Sequence, residues 1–382
     1  MILGIDASNI RAGGGLTHLK AILENGNPIN QGFTKVIVWS NNQTLQQLPT
    51  VDWLEKQSHP HLNKSSIWFF FFQIFYLKTI AAQNKCTVIF APGGTFVSTF
   101  SPFVTMSQNM LPFEYQESKH YNFAMRVRLF ILFFTQSFSF KRASGMIFLT
   151  QYAQNFISQK IKIQSNKTIK IPHGVSAQFQ LAPRIQCPAS DFNSHHLFEF
   201  LYVSYVTIYK HHWNIAQAVC ELHQEGYPIK VTLIGSTLDS FEKVQNVLNN
   251  FSNASECVTY IPGLPHQQLI QHYHQANAFV FGSSCENMPI ILIEAMSAGL
   301  PIISSNAGPM PEVLGDAGLY FNPRQVSEIK EAMVQIFENQ NLRIQLSQKS
   351  FAKTLDYTWQ NCANNTFQFL YQVAQKNETK IE

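Results

Sequence analysis

Short apolar runs that lack in/out alternation recur along this 382-residue chain, separated by helix-length segments. That pattern restricts the fold more than any other feature. A strand that is apolar on both faces must be covered on both faces, which is the condition of a parallel sheet flanked by helices. The first half predicts strands at Ile2–Asp6, Lys35–Trp39, Thr87–Ala91, Phe103–Ser107, Gly145–Leu149 and Ile169–Ile171. The second half predicts strands at Phe198–Ser204, Ile229–Ile234, Ala278–Phe281, Pro301–Ser304 and Leu319–Phe321. Two such series predict two doubly wound, Rossmann-like α/β domains, at residues 1–177 and 194–355. Residues 178–193 carry Pro183, Pro188 and Ser190 without periodicity and read as the linker. Residues 356–382 read as a C-terminal helix packing back on the first domain.

Composition supports large cores: 45% of residues are apolar and 13% charged. The net charge of +4 is mild, and no long Lys/Arg run points to nucleic acid. None of the six cysteines is spaced as C-x-x-C, so they read as free thiols of a reducing cytoplasm. Met1 leads directly into a strand-like run rather than a secretory signal. The most apolar run, Ile67–Leu77, is shorter than the roughly 20 residues of a spanning helix. The six aspartates are isolated, so there is no D-x-D metal motif.

Ligands of open α/β sheets bind beyond the carboxyl ends of the strands. The segment Phe281-Gly-Ser-Ser-Cys-Glu286-Asn287-Met288-Pro289-Ile290-Ile-Leu-Ile-Glu294-Ala-Met-Ser-Ala-Gly299-Leu-Pro301 lies there. It predicts a strand, a polar loop, and a helix capped by Asn287 and ended by Gly299. The first turn of such a helix offers free N–H groups to a diphosphate. Glu294 sits in an otherwise apolar stretch, where a charge is costly unless partnered. Two carboxylates so placed can accept hydroxyls from both ends of an extended sugar nucleotide. Upstream, Lys210 follows a strand and is positioned to neutralise a diphosphate. Near the N-terminus, Gly13, Gly14 and Gly15 join the first strand to a helix, but without the G-x-G-x-x-G of a dinucleotide fingerprint.

Glu286…Glu294, followed by Glu294-Ala-Met-Ser-Ala-Gly-Leu-Pro301, resembles the E-x7-E signature and E-A-M-x-x-G-x-P pattern of retaining glycosyltransferase family 4. The likeness continues through Gly308-Pro-Met-Pro-Glu312 to Gly315-Asp-Ala-Gly-Leu-Tyr-Phe-Asn-Pro323. The resemblance implies a GT-B fold, two Rossmann-like domains facing each other across a cleft. It implies that Glu286 contacts the transferred sugar, Glu294 the ribose and Lys210 the phosphates. Donor contacts would extend over Gly14, Gly15, Asn287, Met288, Pro289 and Ile290, and to the base-facing loop at Gly263 and Leu264. Where the family often carries an arginine after the strand, this chain has Ser204 and Tyr205. Gly93, Gly94, Asn109 and His120 fall on the acceptor side. Asn109 stands near a position where the family often has a histidine that contacts the transferred sugar, and takes that catalytic place by resemblance. Ile171-Pro-His173-Gly174-Val175 resembles the family's hinge.

The function so implied is metal-independent, retaining transfer of a hexose from a GDP- or UDP-linked sugar, a substrate rather than a cofactor. The acceptor would be a glycan or polyprenyl-linked glycan of bacterial surface polysaccharide. An epimerase-like enzyme or an inactive scaffold on the same fold are the alternatives. Arg126–Phe140, rich in phenylalanine and followed by Lys141-Arg142, reads either as a core helix or as a helix at a membrane surface. The expected location is the cytoplasm, at the inner face of the cytoplasmic membrane.

Overall fold

The computed structural model describes residues 1–65 and 67–378. The last four residues of the expected C-terminal segment lie outside that range. The chain divides into two compact units, Met1–Gly174 with Thr358–Glu382, and Val175–Tyr357.

In the first unit, seven strands form one sheet in the order β3-β2-β1-β4-β5-β6-β7. They are β1 (Ile2–Asp6), β2 (Lys35–Trp39), β3 (Leu54–Gln57), β4 (Val88–Ala91), β5 (Phe103–Met106), β6 (Gly145–Phe148) and β7 (Thr168–Lys170). All pairings are parallel. In the second unit, six parallel strands are ordered β10-β9-β8-β11-β12-β13. These are β8 (Phe198–Val203), β9 (Ile229–Ile234), β10 (Val258–Ile261), β11 (Ala278–Phe281), β12 (Ile302–Ser305) and β13 (Gly318–Phe321). Every predicted run is a strand. The two strands that sequence reading missed, β3 and β10, are edges. Leu54-Glu-Lys-Gln57 is only half buried throughout, so it lacks the apolar run that marks an inner strand.

Residues 178–193, read as a linker, instead belong to the second unit. Polar side chains of that unit tie their backbone down. Arg343, fully buried, donates to Cys187 O, and Gln340 donates to Gln186 O. Leu181 N donates to Ser297 O at 3.0 Å. Arg184 in turn donates to the carbonyls of His274 and Ala276. Proline content removed the helical pattern here without removing the packing.

The helix Trp359–Glu378 covers the first sheet. Small residues accommodate it: a Cβ at Gly26 would meet Phe367 at 2.5 Å, and one at Gly145 would meet Phe369 at 2.9 Å. Trp359 also closes over a buried histidine pair. His18, on the helix Gly13–Asn25, and His173 bring their Nδ1 atoms to 3.1 Å. One ring must donate and the other accept, so a proton added to the pair would set two donors against each other.

Burial lowers His18 to about 4 and His173 well below its ordinary value. A base whose folded pKa is depressed binds more protons unfolded, so it costs stability as pH falls from 6.5 towards 4. For His18 that loss is about 3 kcal/mol. Buried His212, lowered to about 3, adds in the same direction. Burial raises Asp6 to about 6, which opposes them by favouring the fold at low pH between 3.8 and 6. With three buried histidines against Asp6 and Glu114, whose carboxyl pKa burial also raises, the urea midpoint should fall on acidification from pH 7 to 4. A midpoint that rises over that range would show the histidines are not buried as neutral rings.

Candidate active site

Parallel pairing aligns the ends of strands. Val203 of β8 pairs with Ile234 of β9, which pairs with Ile261 of β10. Phe281 of β11 pairs with Ser304 of β12. The residues that follow these ends share the carboxyl edge of the second sheet, and Lys210, Gly263 and Glu286 all come from those connections.

After β8, the chain is pinned before it enters the helix His212–Gln224. Asp239 accepts Thr207 Oγ1 and Ile208 N, both at 2.9 Å. A 3₁₀ turn, Ile208–Lys210, follows, and His211 takes a left-handed conformation (φ 51°) that redirects the backbone. Tyr202 Oη donates to Lys210 O at 2.7 Å. The result buries Lys210 to 6% exposure, and its ammonium pairs with Glu286 Oε1. The ammonium also lies 5.2 Å from the centroid of Phe281 and 5.4 Å from that of Tyr209. A negative ring face at that range adds attraction for the cation. Burial, reinforced by the Glu286 charge, holds the Tyr202 hydroxyl neutral by raising its pKa well above the usual value.

The loop carrying Glu286 is fastened to the same turn. Ser284 N donates to Tyr209 O at 2.8 Å, and Ser284 Oγ lies 3.0 Å from His211 Nε2. The helix that follows spans Ile290–Ser297, and Pro289 holds its N-cap position with no side-chain cap. Asn287 is therefore not the cap that its residue type suggested. Three residues before the first helical turn, it lies too far upstream to reach the N–H groups a cap serves. Met288 and Pro289 are buried and Ile290 is half-buried. Gly299 ends the helix as expected, at φ 62°: its N–H donates to Met296 O and that of Leu300 to Ala295 O. Those two bonds form a Schellman motif, which requires a residue free to adopt positive φ.

Glu294 is 5% exposed, and Tyr273 Oη donates to its Oε2 at 3.0 Å. The apolar setting called for such a partner, but its identity was not legible. Tyr273 lies on the polar helix His266–Gln275, with nothing in sequence linking it to Glu294. Burial and the Glu294 charge raise the Tyr273 pKa well above its usual value, so the phenol remains a donor. Gly263 sits at φ 37° where a Cβ would meet Ser236 Oγ at 2.5 Å, and Leu264 follows it as a half-exposed residue.

In the first unit, the predicted residues follow β1, β4 and β5, which are neighbours in the sheet. Asp6, at the end of β1, accepts Gln73 Nε2 at 2.6 Å and Ser8 N at 3.2 Å. Asn9 Nδ2 donates to Gly93 O at 3.2 Å, so the loops after β1 and β4 are joined. A Cβ on Gly93 would overlap Asn9 at 1.9 Å. Around Gly14 there is open space, whereas Gly15 approaches Gln108. Gly94 needs its positive φ of 77° and faces Gln136. Asn109 is exposed, and its Oδ1 accepts Leu111 N at 3.0 Å in a local turn. His120 is also exposed, beyond the short helix Tyr115–Ser118. Gly14, Gly15, Gly93, Gly94 and Asn109 thus share one sheet edge, and His120 lies farther along the chain. Among the described residues no group of three or more His, Cys, Asp or Glu comes together as a metal site.

Residues 191–353 match the family model described as "Glycosyl transferases group 1". A 109-residue stretch is 32% identical to the O-antigen chain mannosyltransferase B of Escherichia coli, covering 28% of this chain and 29% of that protein. The chain therefore spans less than a third of that relative's length. Among solved structures, the sucrose-phosphate synthase of Thermosynechococcus elongatus superposes with a TM-score of 0.74 at 16% identity, over 98% of this chain and 100% of that one. Anabaena HepE in complex with UDP and glucose gives 0.67 at 16% identity, over 99% and 100%. Residues 191–353 thus match the glycosyl transferases group 1 family, in a chain with the two-sheet α/β fold of the GT-B glycosyltransferases.

Proposed function

We propose that the chain transfers a hexose, with retention and without a metal, from a UDP- or GDP-linked sugar to a glycan or polyprenyl-linked glycan of bacterial surface polysaccharide. The observation that carries this reading is the buried Lys210–Glu286 ion pair at the carboxyl edge of the second sheet. A diphosphate leaving group gains negative charge as the C1–O bond breaks. A lysine fixed in a low-dielectric pocket opposes that charge without reorganising. Glu286, paired with the same lysine, accepts the hydroxyls of the transferred sugar, and Glu294 accepts those of the ribose. The acceptor hydroxyl attacks C1 from the face the diphosphate leaves, and its proton passes to the departing phosphate oxygen. The family match of residues 191–353 supports the donor class, and the E. coli mannosyltransferase supports a polysaccharide acceptor. The cytoplasm, where nucleotide sugars are made, is the corresponding location.

A panel of UDP- and GDP-sugars with membrane extract as acceptor tests the reading through nucleotide release. Glu286→Ala should abolish release, and Glu294→Ala should raise the donor KM about 10-fold or more, the worth of a hydrogen bond to a charged group. EDTA should leave the rate unchanged. Release that survives Glu286→Ala removes the assigned role, and loss of activity in EDTA removes the metal-free mechanism. Product formed without any acceptor would identify an epimerase-like enzyme instead.

A further inference from the structure

The helix Phe123–Arg142 buries Leu129 and Phe140 but turns most of its phenylalanines outward. Phe123, Phe130, Phe134 and Phe138 are 79, 64, 54 and 51% exposed, whereas Gln136, Ser137 and Ser139 are buried. Positions 123, 127, 130, 131, 134 and 138 recur at helical spacing, so the exposed Phe, Val and Ile side chains form one stripe along the helix. From position 123 to 138, at 1.5 Å per residue, that stripe is about 23 Å long. A surface helix in contact with water alone presents the opposite arrangement.

A second element of the same unit also exposes apolar side chains. The continuous helical run from Trp68 to Gln83 includes a π turn, Phe72–Tyr76, and exposes Phe71, Ile74 and Phe75. Both elements clamp residues 95–98. Gln73 accepts Val97 N at 3.0 Å and donates to Thr95 O at 3.1 Å. Ser139 Oγ accepts Phe96 N at 2.8 Å, and Arg142 donates to Ser98 O at 2.9 Å. These bonds also exclude a transmembrane role. The helix Phe123–Arg142 is long and apolar enough to cross a bilayer, but crossing would strip Ser139 and Arg142 of their partners.

Charge identifies the occupant. Residues 1–174 hold sixteen lysines and arginines against six acids, and residues 358–382 add two of each. The second unit, 175–357, reverses the balance with nine against fifteen. The mild total charge is thus the difference of two strong opposites. No acidic residue occurs between Glu117 and Asp191, and Arg126, Arg128 and Lys141 are exposed along the Phe stripe. A second copy seated here would set like charges against each other across an isologous contact. A bilayer with anionic headgroups satisfies both features, since phenylalanine rings enter the interface and basic side chains meet the lipid phosphates.

We infer that the first unit docks on anionic lipid bilayers through the exposed faces of Phe123–Arg142 and Trp68–Gln83, lying flat on the surface. This is independent of the sugar-transfer chemistry proposed above, because it is read by binding alone.

The test is co-sedimentation of the full chain with phosphatidylcholine vesicles, with and without phosphatidylglycerol. Binding should be at least 10-fold tighter to the vesicles containing phosphatidylglycerol and should weaken as salt is raised. Phe130→Ser combined with Phe134→Ser should reduce binding at least 10-fold, with the thermal midpoint preserved. Arg126→Glu with Arg128→Glu, confined to exposed side chains, should do the same should the first pair fail to fold. Equal binding to both vesicle types, or wild-type binding by both pairs of variants, overturns the inference. So does a dimer in sedimentation velocity that the Phe130→Ser/Phe134→Ser variant dissociates, with no vesicle binding by the wild type.

Discussion

Lys210→Ala is expected to slow sugar transfer by about 100- to 1,000-fold, the usual effect of removing one preorganised group from a developing charge. It should also destabilise the fold by about 3–5 kcal/mol, because it leaves Glu286 as an uncompensated charge in a site where that side chain is 15% exposed. The two effects separate in a second variant. Lys210→Met with Glu286→Gln removes both charges, so much of the stability should return while activity does not. Chemical denaturation and nucleotide-release assays on the same preparations decide this. Recovery of activity along with stability would mean that the ion pair is only a structural strut.

Gly174→Ala is expected to cost about 3 kcal/mol or more. A Cβ there would lie 2.1 Å from Trp359 N, 2.4 Å from Thr358 C and 2.5 Å from Trp359 Cα. All three are backbone atoms, so no side chain can rotate away, and the helix that begins at Trp359 must shift. That shift would also disturb the pair His18–His173, whose ring centroids lie 5.9 and 5.6 Å from Trp359. A loss below about 1 kcal/mol in urea titration would show that the two segments separate without cost.

Much of this was legible in sequence, for identifiable reasons. Inner strands announce themselves because both of their faces are buried, so all of them were found, while β3 and β10 at the edges carry polar residues and were not. Glu286, Lys210 and Glu294 stood out as charges beside or within apolar segments, and each proves buried or half-buried. What a one-dimensional pattern could not supply was the pairing. Lys210 and Glu286 are 76 residues apart, and Tyr273 and Glu294 come from different helices. The cap assigned to Asn287 failed because residue type identifies a capping residue but not where the first helical turn begins. The exposed faces of the Phe-rich helix were hidden because composition alone cannot say which side of a helix meets solvent, and the whole-chain charge masked two opposite halves.

The first unit is assembled from both ends of the polypeptide, with residues 175–357 inserted between them. During synthesis the ribosome must therefore make that whole insertion before Trp359–Glu378 can emerge. At about 5–20 residues per second, the first sheet waits on the order of 10–40 s for the helix that seals it. The inserted unit is contiguous and can fold as soon as it emerges, so the N-terminal portion is the later of the two to finish. During that interval Gly26, Gly145 and their apolar neighbours lie bare, and the nascent chain is then at its most vulnerable to proteases and to association with other copies.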